Sequence, residues 1–215
     1  MSTSLAAQEY AYEQVIAEIY DLNWDHLRED EMISVAWAYC YFSIQFRENL
    51  QLACSLYPKD INLKRLEAEE CNTDNLSPYP GVAEAGERLN HDEFMRRLLA
   101  LSPISEKLEA QIKRIGHHYL EEIRDIAPEI RAMSISSYED GGLEAVFNGI
   151  LRAPAYNNSL LNAFRFFLTE HIRFDSDPDK GHGALSRHMV ADDGILPLWL
   201  AFKQLLVETT PSLLA

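Results

Sequence analysis

The hydrophobic and polar positions follow the helical period along almost the whole chain, and a few punctuating residues divide it into segments. Apolar side chains recurring every three to four residues predict a first helix from about Leu5 to Tyr20. After Asp30 the stretch EMISVAWAYCYFSIQFRENLQLACSLY is apolar on nearly every face. It predicts a long helix at the centre of the core, ended by Pro58. Asp60 suits the N-cap of a third helix, INLKRLEAEE, and a turn-rich link, NTDNLSPYPG, follows. A fourth helix is predicted over roughly Val82 to Leu101, stopped by Pro103, and Ser105 caps a fifth, EKLEAQIKRIGHHYLEEIRDI. Pro128 opens a sixth, EIRAMSISSYEDGGLEAVFNGILRA, in which Gly141 and Gly142 predict a kink or bulge of the sort that often marks a site. The seventh is NSLLNAFRFFLTEHIRFD, and the segments HGALSRHMVA and PLWLAFKQLLVETT close the chain, with Pro197 suited to a helix N1 position. Alternating β-branched runs are scarce, so the expectation is an all-α domain.

Composition narrows this further. With 215 residues, 47% of them hydrophobic, the chain can bury one sizeable core, which predicts a single domain over residues 1–215. No apolar run approaches the length of a membrane span. The start, MSTSLAAQEYAYEQ, has neither the basic nor the apolar region of a signal peptide, so a cytoplasmic protein is expected. Cys40, Cys54 and Cys71 are odd in number and form no CxxC, which predicts reduced packing residues. The net charge of -15 repels polyanions and argues against nucleic acid as a partner, although most of it reads as ordinary solubility. The expected partner is a small molecule, with a homodimer left open.

Candidate chemistry concentrates in residues 171 to 189, HIRFDSDPDKGHGALSRHM, where three histidines and three aspartates follow an apolar helix. His171 and Asp175 are i and i+4 and leave one helical face a turn apart; His182 follows across SDPDKG. Imidazole with carboxylate suits iron, manganese or zinc, but such a pair is also an ordinary surface hydrogen bond. In AEAGERLNHDEF, Glu84 and His91 are two helical turns apart, and Glu87 competes with Glu84 on the same face; an acidic surface helix is the bland alternative. In SYEDGGLE, Glu139 precedes the double glycine, in a stretch inclined to be buried, with Glu144 its rival. His117 and His118, four residues before Glu121 and Glu122, read best as a solvated face. His26 has no partner of compelling spacing, and His188 is a reserve ligand. No Glu-x-x-His pair of the ferritin-like type occurs.

The order Glu-x6-His, a lone Glu, then His-x3-Asp with a nearby His resembles the heme-oxygenase-like di-metal oxidases and oxygenases. The likeness is carried by EAGERLNHDEF, SYEDGGLEAVF and FLTEHIRFDSDPDKGHGALSRHM. The whole chain, including FSIQFRENL and ECNTDNLSPYPGVAEAGE, is similar to a mainly cyanobacterial branch related to an enzyme that forms an indole nitrile. The resemblance implies a seven-helix heme-oxygenase-like bundle, shared with the thiaminase-like TenA proteins, that holds two iron ions, or an Fe/Mn pair, with O2 as co-substrate. It implies Glu84, His91, Glu139, His171, Asp175 and His182 as metal ligands. One departure is that six residues separate Asp175 from His182, where relatives have two or three. Either the helix end bulges at SDPDKG, or Asp179 takes the place of Asp175.

The implied function is oxidation of a small metabolite, an amino acid (aromatic ones first) or a fatty acid, by attack on C–H, amine or C–C bonds. Arg47 and Gln45, within the apolar second helix, are candidate substrate contacts, with Asp74 an alternative partner for Arg47. Trp37, Phe42 and Phe167 read as core. The same fold also hosts metal-free proteins, so a thiaminase-like hydrolase with a nucleophilic cysteine and a non-catalytic binding protein stay open as alternatives.

Overall fold

Four helices begin where a side-chain oxygen accepts an orphan backbone N–H of the first turn. Asp60 Oδ1 accepts from Asn62 and Leu63 at 2.9 and 3.1 Å. Asn90 accepts from Glu93 at 2.8 Å, Ser105 from Leu108 at 3.3 Å, and Asn158 from Leu161 at 3.2 Å. The structure, a computed structural model, describes residues 10–71, 78–87, 89–175 and 181–215, with residue 175 in its backbone only. In chain order the helices are α1 (Ala11–Tyr20), α2 (Glu29–Leu56), α3 (Ile61–Cys71), α4 (His91–Ala100), α5 (Glu106–Arg124), α6 (Pro128–Ser137), α7 (Leu143–Ile150), α8 (Ser159–Asp175), α9 (His182–Ser186) and α10 (Leu196–Thr209). Among the described residues there is no strand, only an isolated bridge between Tyr79 and Ala83. The all-α expectation therefore holds. No helix among these residues is long and apolar enough to cross a membrane.

The nearly all-round apolar pattern of α2 has its consequence in the packing. Residues on every side of it are buried, and it touches α3, α4, α5, α6, α8 and α10. Tyr39 of α2 lies among the rings of Phe42, Phe147, Phe164 and Phe167, and Phe42 stacks on Phe202 with centroids 4.1 Å apart. Phe42 and Phe167 are core residues as expected, whereas Trp37 is only half-buried.

Two elements differ from the sequence reading. The first helix begins at Ala11, and the expected part before residue 10 lies outside the described residues. The fourth begins at His91 rather than near Val82. Gly81 and Gly86 have φ of +82° and +78°, values a right-handed helix cannot contain, and Asn90 starts the helix nine residues late.

The predicted distortion at the double glycine is present. Residues Tyr138–Gly142 form a kinked turn between α6 and α7, in which Asp140 (φ -94°, ψ 53°) and Gly141 leave helical geometry. Gly141 supplies a φ of +98° there. Gly142 supplies space, since a Cβ on it would lie 2.2 Å from the Ser137 carbonyl and 2.8 Å from the Trp199 ring.

Candidate metal centre

Five helical elements bring Glu70, His91, Glu139, His171 and His182 to one place beside α2. Glu70 ends the buried stripe Leu63, Leu66, Glu70 on α3. His91 is the first residue of α4 and His182 the first of α9. Glu139 sits in the kinked turn between α6 and α7, and His171 lies one turn before the end of α8. Glu70, Glu139 and His182 are 4%, 7% and 1% exposed, which is costly for carboxylates unless a cation or strong donors face them.

The contacts are specific. Glu70 uses both oxygens, one on His91 Nδ1 at 2.8 Å and one on His182 Nδ1 at 2.6 Å. Glu139 approaches the same His182 Nδ1 at 3.4 Å, and Glu69 lies 3.6 Å from His182 Nε2. His171 Nδ1 bonds the Phe167 carbonyl at 2.8 Å, and its Nε2 faces His91 Nε2 at 3.2 Å. Burial pushes the Glu70 carboxyl up, but the imidazoles of His91 and His182 outweigh it and hold it well below the usual carboxylate range. Burial likewise pushes His91 down, and the charge and hydrogen bond of Glu70 more than reverse this. The cluster opens on a small cavity of about 20 Å³, walled by Tyr39, Phe42, Ser43, Phe46 and Leu143.

These donors fit a metal ion. Two ligands bound about 2.1 Å from one ion stand roughly 3–4 Å apart. One donor atom each from Glu70, Glu139 and His182 lie within 4.8 Å of one another, and the Nε2 atoms of His91 and His171 also have a suitable separation. Carboxylate with imidazole is the donor chemistry of iron, manganese and zinc.

Of the expected ligands, His91, Glu139, His171 and His182 come together. Asp175 ends α8 one turn beyond His171, and its side chain, like the whole of Asp179, lies outside the described residues. Glu84 is corrected. It is exposed, in a non-helical segment where its backbone N–H donates to the Glu87 carboxylate at 3.1 Å, so it shares no helical face with His91. Glu70 stands in the cluster instead. Glu87 pairs with Arg97 at 2.8 Å, and Glu144 is partly exposed on α7, away from the pocket walls. His188 bonds Asp60 at 2.5 Å on the surface.

The candidate substrate contacts are also engaged elsewhere. Arg47 pairs with Asp92 at 2.5 Å, while Asp74 lies outside the described residues. Gln45 is buried in the core, where it donates to Tyr138 Oη at 3.4 Å and accepts from Tyr119 Oη at 3.1 Å. His26, His117 and His118 are exposed, and His118 lies beside Glu122 at 3.4 Å as a surface pair. The three cysteines are unpaired, and burial pushes each thiol up to about 12.

Sequence reasoning missed Glu70 because LEAEE reads as a charged surface. The signal that marks it is its place on the apolar stripe with Leu63 and Leu66, where a carboxylate is out of character. Compared with protein-family models, with curated proteins and with solved structures, the chain has no significant match.

Proposed function

We propose that the protein is an O2-activating oxidase or oxygenase that holds two metal ions, iron with iron or iron with manganese, in the Glu70–His91–Glu139–His171–His182 cluster, within a heme-oxygenase-like bundle. The observation that carries the metal reading is the pair of imidazoles at 3.2 Å. The Phe167 carbonyl can only accept, so His171 Nδ1 carries a proton. The ionised Glu70 carboxylate likewise places a proton on His91 Nδ1. In neutral rings both Nε2 atoms are then lone-pair acceptors pointing at each other. A positive species between them relieves this: a proton on His91, in keeping with its raised value, when no metal is bound, and a metal ion that displaces that proton on binding.

Bound there, a reduced metal pair supplies the electrons for O2 activation. The chain's own residues provide the geometry and the dry surroundings. Glu70 orients two imidazoles at once through their Nδ1 atoms, and the Phe167 carbonyl orients the third. Tyr39, Phe42, Phe46 and Leu143 wall the cluster with apolar side chains and limit water beside it. Aromatic amino acids are the first candidates, followed by medium-chain fatty acids. A thiaminase-like hydrolysis is disfavoured because no cysteine lines the pocket and all three thiols are held protonated.

The test is anaerobic loading with ferrous iron, followed by metal analysis and O2 uptake. Two ions per chain and O2 consumption stimulated by one candidate substrate are expected. Failure to retain iron refutes the metal reading, and two retained irons with no O2 uptake refute the oxidase reading.

A further inference from the structure

The three histidines of the cluster do not turn the same nitrogen towards it. His91 and His171 have Nδ1 on Glu70 and on the Phe167 carbonyl, and their Nε2 atoms face each other. His182 is reversed. Its Nδ1 lies on the carboxylate side, 2.6 Å from Glu70 and 3.4 Å from Glu139. Its Nε2 lies on the opposite side, 3.6 Å from Glu69 Oε2, and both of those atoms are shielded from solvent. Two consecutive residues of α3 thus address opposite nitrogens of one imidazole.

The reversal has a consequence for the proton on this ring. One donor atom each from Glu70, Glu139 and His182 are close enough to share an ion. The His182 nitrogen on that side is Nδ1, which Glu70 holds by a hydrogen bond until a metal takes it. A nitrogen that binds a metal offers its lone pair, and a neutral imidazole keeps a single N–H. Coordination through Nδ1 therefore puts that N–H on Nε2, inside a buried ring, where it needs an acceptor. Metal-bound histidines commonly donate this outer N–H to a carboxylate, which fixes both tautomer and ring orientation. Glu69 Oε2 stands in that place and needs to close by only about 0.5 Å to form the bond. Its other oxygen accepts from Arg65 Nε at 2.7 Å, one turn back on α3, which steadies the carboxylate from the surface side. Phe174 packs on the His182 ring with centroids 4.6 Å apart and opposes a ring flip.

We infer, resting on the metal reading above, that Glu69 is a positioning residue of the centre: it accepts the Nε2 proton of His182 and so fixes Nδ1 as the metal-binding atom of that ring, whereas His91 and His171 bind through Nε2.

The test is nitrogen-15 NMR of the full chain labelled in its histidines and loaded with zinc, a diamagnetic probe for the same donors. Ring nitrogen shifts report which nitrogen of each histidine binds metal and which carries the proton. His182 should bind zinc through Nδ1 with its N–H on Nε2, and His91 and His171 through Nε2. Glu69→Ala should lose or mix the His182 pattern and weaken zinc by about tenfold or more in chelator competition. Glu69→Gln, whose amide oxygen still accepts, should retain the Nδ1 pattern. Arg65→Ala removes the exposed pair but leaves Glu69, and should change zinc affinity by less than about threefold. A parent whose His91 and His171 bind zinc but whose His182 binds through Nε2 overturns this inference alone. So does parental affinity in Glu69→Ala, or an equal loss in Arg65→Ala, which would reduce Glu69 to half of a surface ion pair. A parent in which none of the three rings binds zinc overturns the metal reading, and this inference with it.

Discussion

Replacing Glu70 by glutamine separates the pattern in the sequence from the arrangement in space. The substitution preserves shape and removes a charge. In the parent, both carboxylate oxygens accept from imidazole Nδ1 atoms, at 2.8 Å from His91 and 2.6 Å from His182. An amide has one acceptor oxygen and one donor nitrogen, so it satisfies one ring and opposes the other, donor against donor. The opposed ring must flip or change tautomer, and its Nε2 is no longer held for a metal. A hydrogen bond to a charged group contributes about 1.5–3 kcal/mol. Loss of such a supporting carboxylate lowers metal affinity by about 10- to 100-fold, which is about 1.4–2.7 kcal/mol. Loss of Glu70 as a direct ligand would lie at or beyond the upper end. The assay is anaerobic competition of ferrous iron against a chromophoric chelator, with Glu84→Gln run in parallel. Glu84 is exposed and outside the cluster, so its variant should bind iron like the parent. Parental affinity in Glu70→Gln together with loss in Glu84→Gln would refute the spatial assignment and restore the residue suggested by sequence spacing.

Three further outcomes are expected. Metal uptake should release protons and weaken as the pH falls from about 8 to about 6. The reason is that Glu70 raises His91 above the ordinary imidazole value, so the metal must displace a proton that becomes harder to remove in acid; uptake independent of pH would contradict this. Gly183→Ala should lower stability by about 1–3 kcal/mol and reduce iron content, because a Cβ there meets the Glu139 carbonyl oxygen at 2.9 Å and pushes α9 off the kinked turn; an unchanged melting temperature would count against that contact. His171→Ala should lose iron, whereas His117→Ala, on the exposed face of α5, should not, as read by metal analysis of both.

Much of the architecture was legible because its causes are local. Asp60 and Ser105 act as caps where their residue types predict, Pro128 and Pro197 lie in the first turns of α6 and α10, and the all-round apolar α2 is central. The double glycine announced the kink, since only glycine reaches φ of +98° at little cost. His91, Glu139, His171 and His182 were visible as metal-seeking residue types. Their grouping with Glu70 was not, because it depends on α3 returning alongside α9, a contact between segments far apart in sequence. The late start of α4 was missed for a different reason. Periodicity continues through AEAGERLN, but Asn90 with Glu93 three residues on forms the stronger helix-start signal, and Gly86 breaks what precedes it.

The kink at the double glycine also has a genetic meaning. The break is a kink in which Asp140 and Gly141 leave helical geometry, while α6 and α7 on either side of it keep their own buried faces. Any side chain at position 141 would be strained at a φ of +98°, so the codon for Gly141 bears on how α6 meets α7. The same turn directs Glu139 at His182. The candidate site therefore depends on that one codon more closely than either flanking helix does.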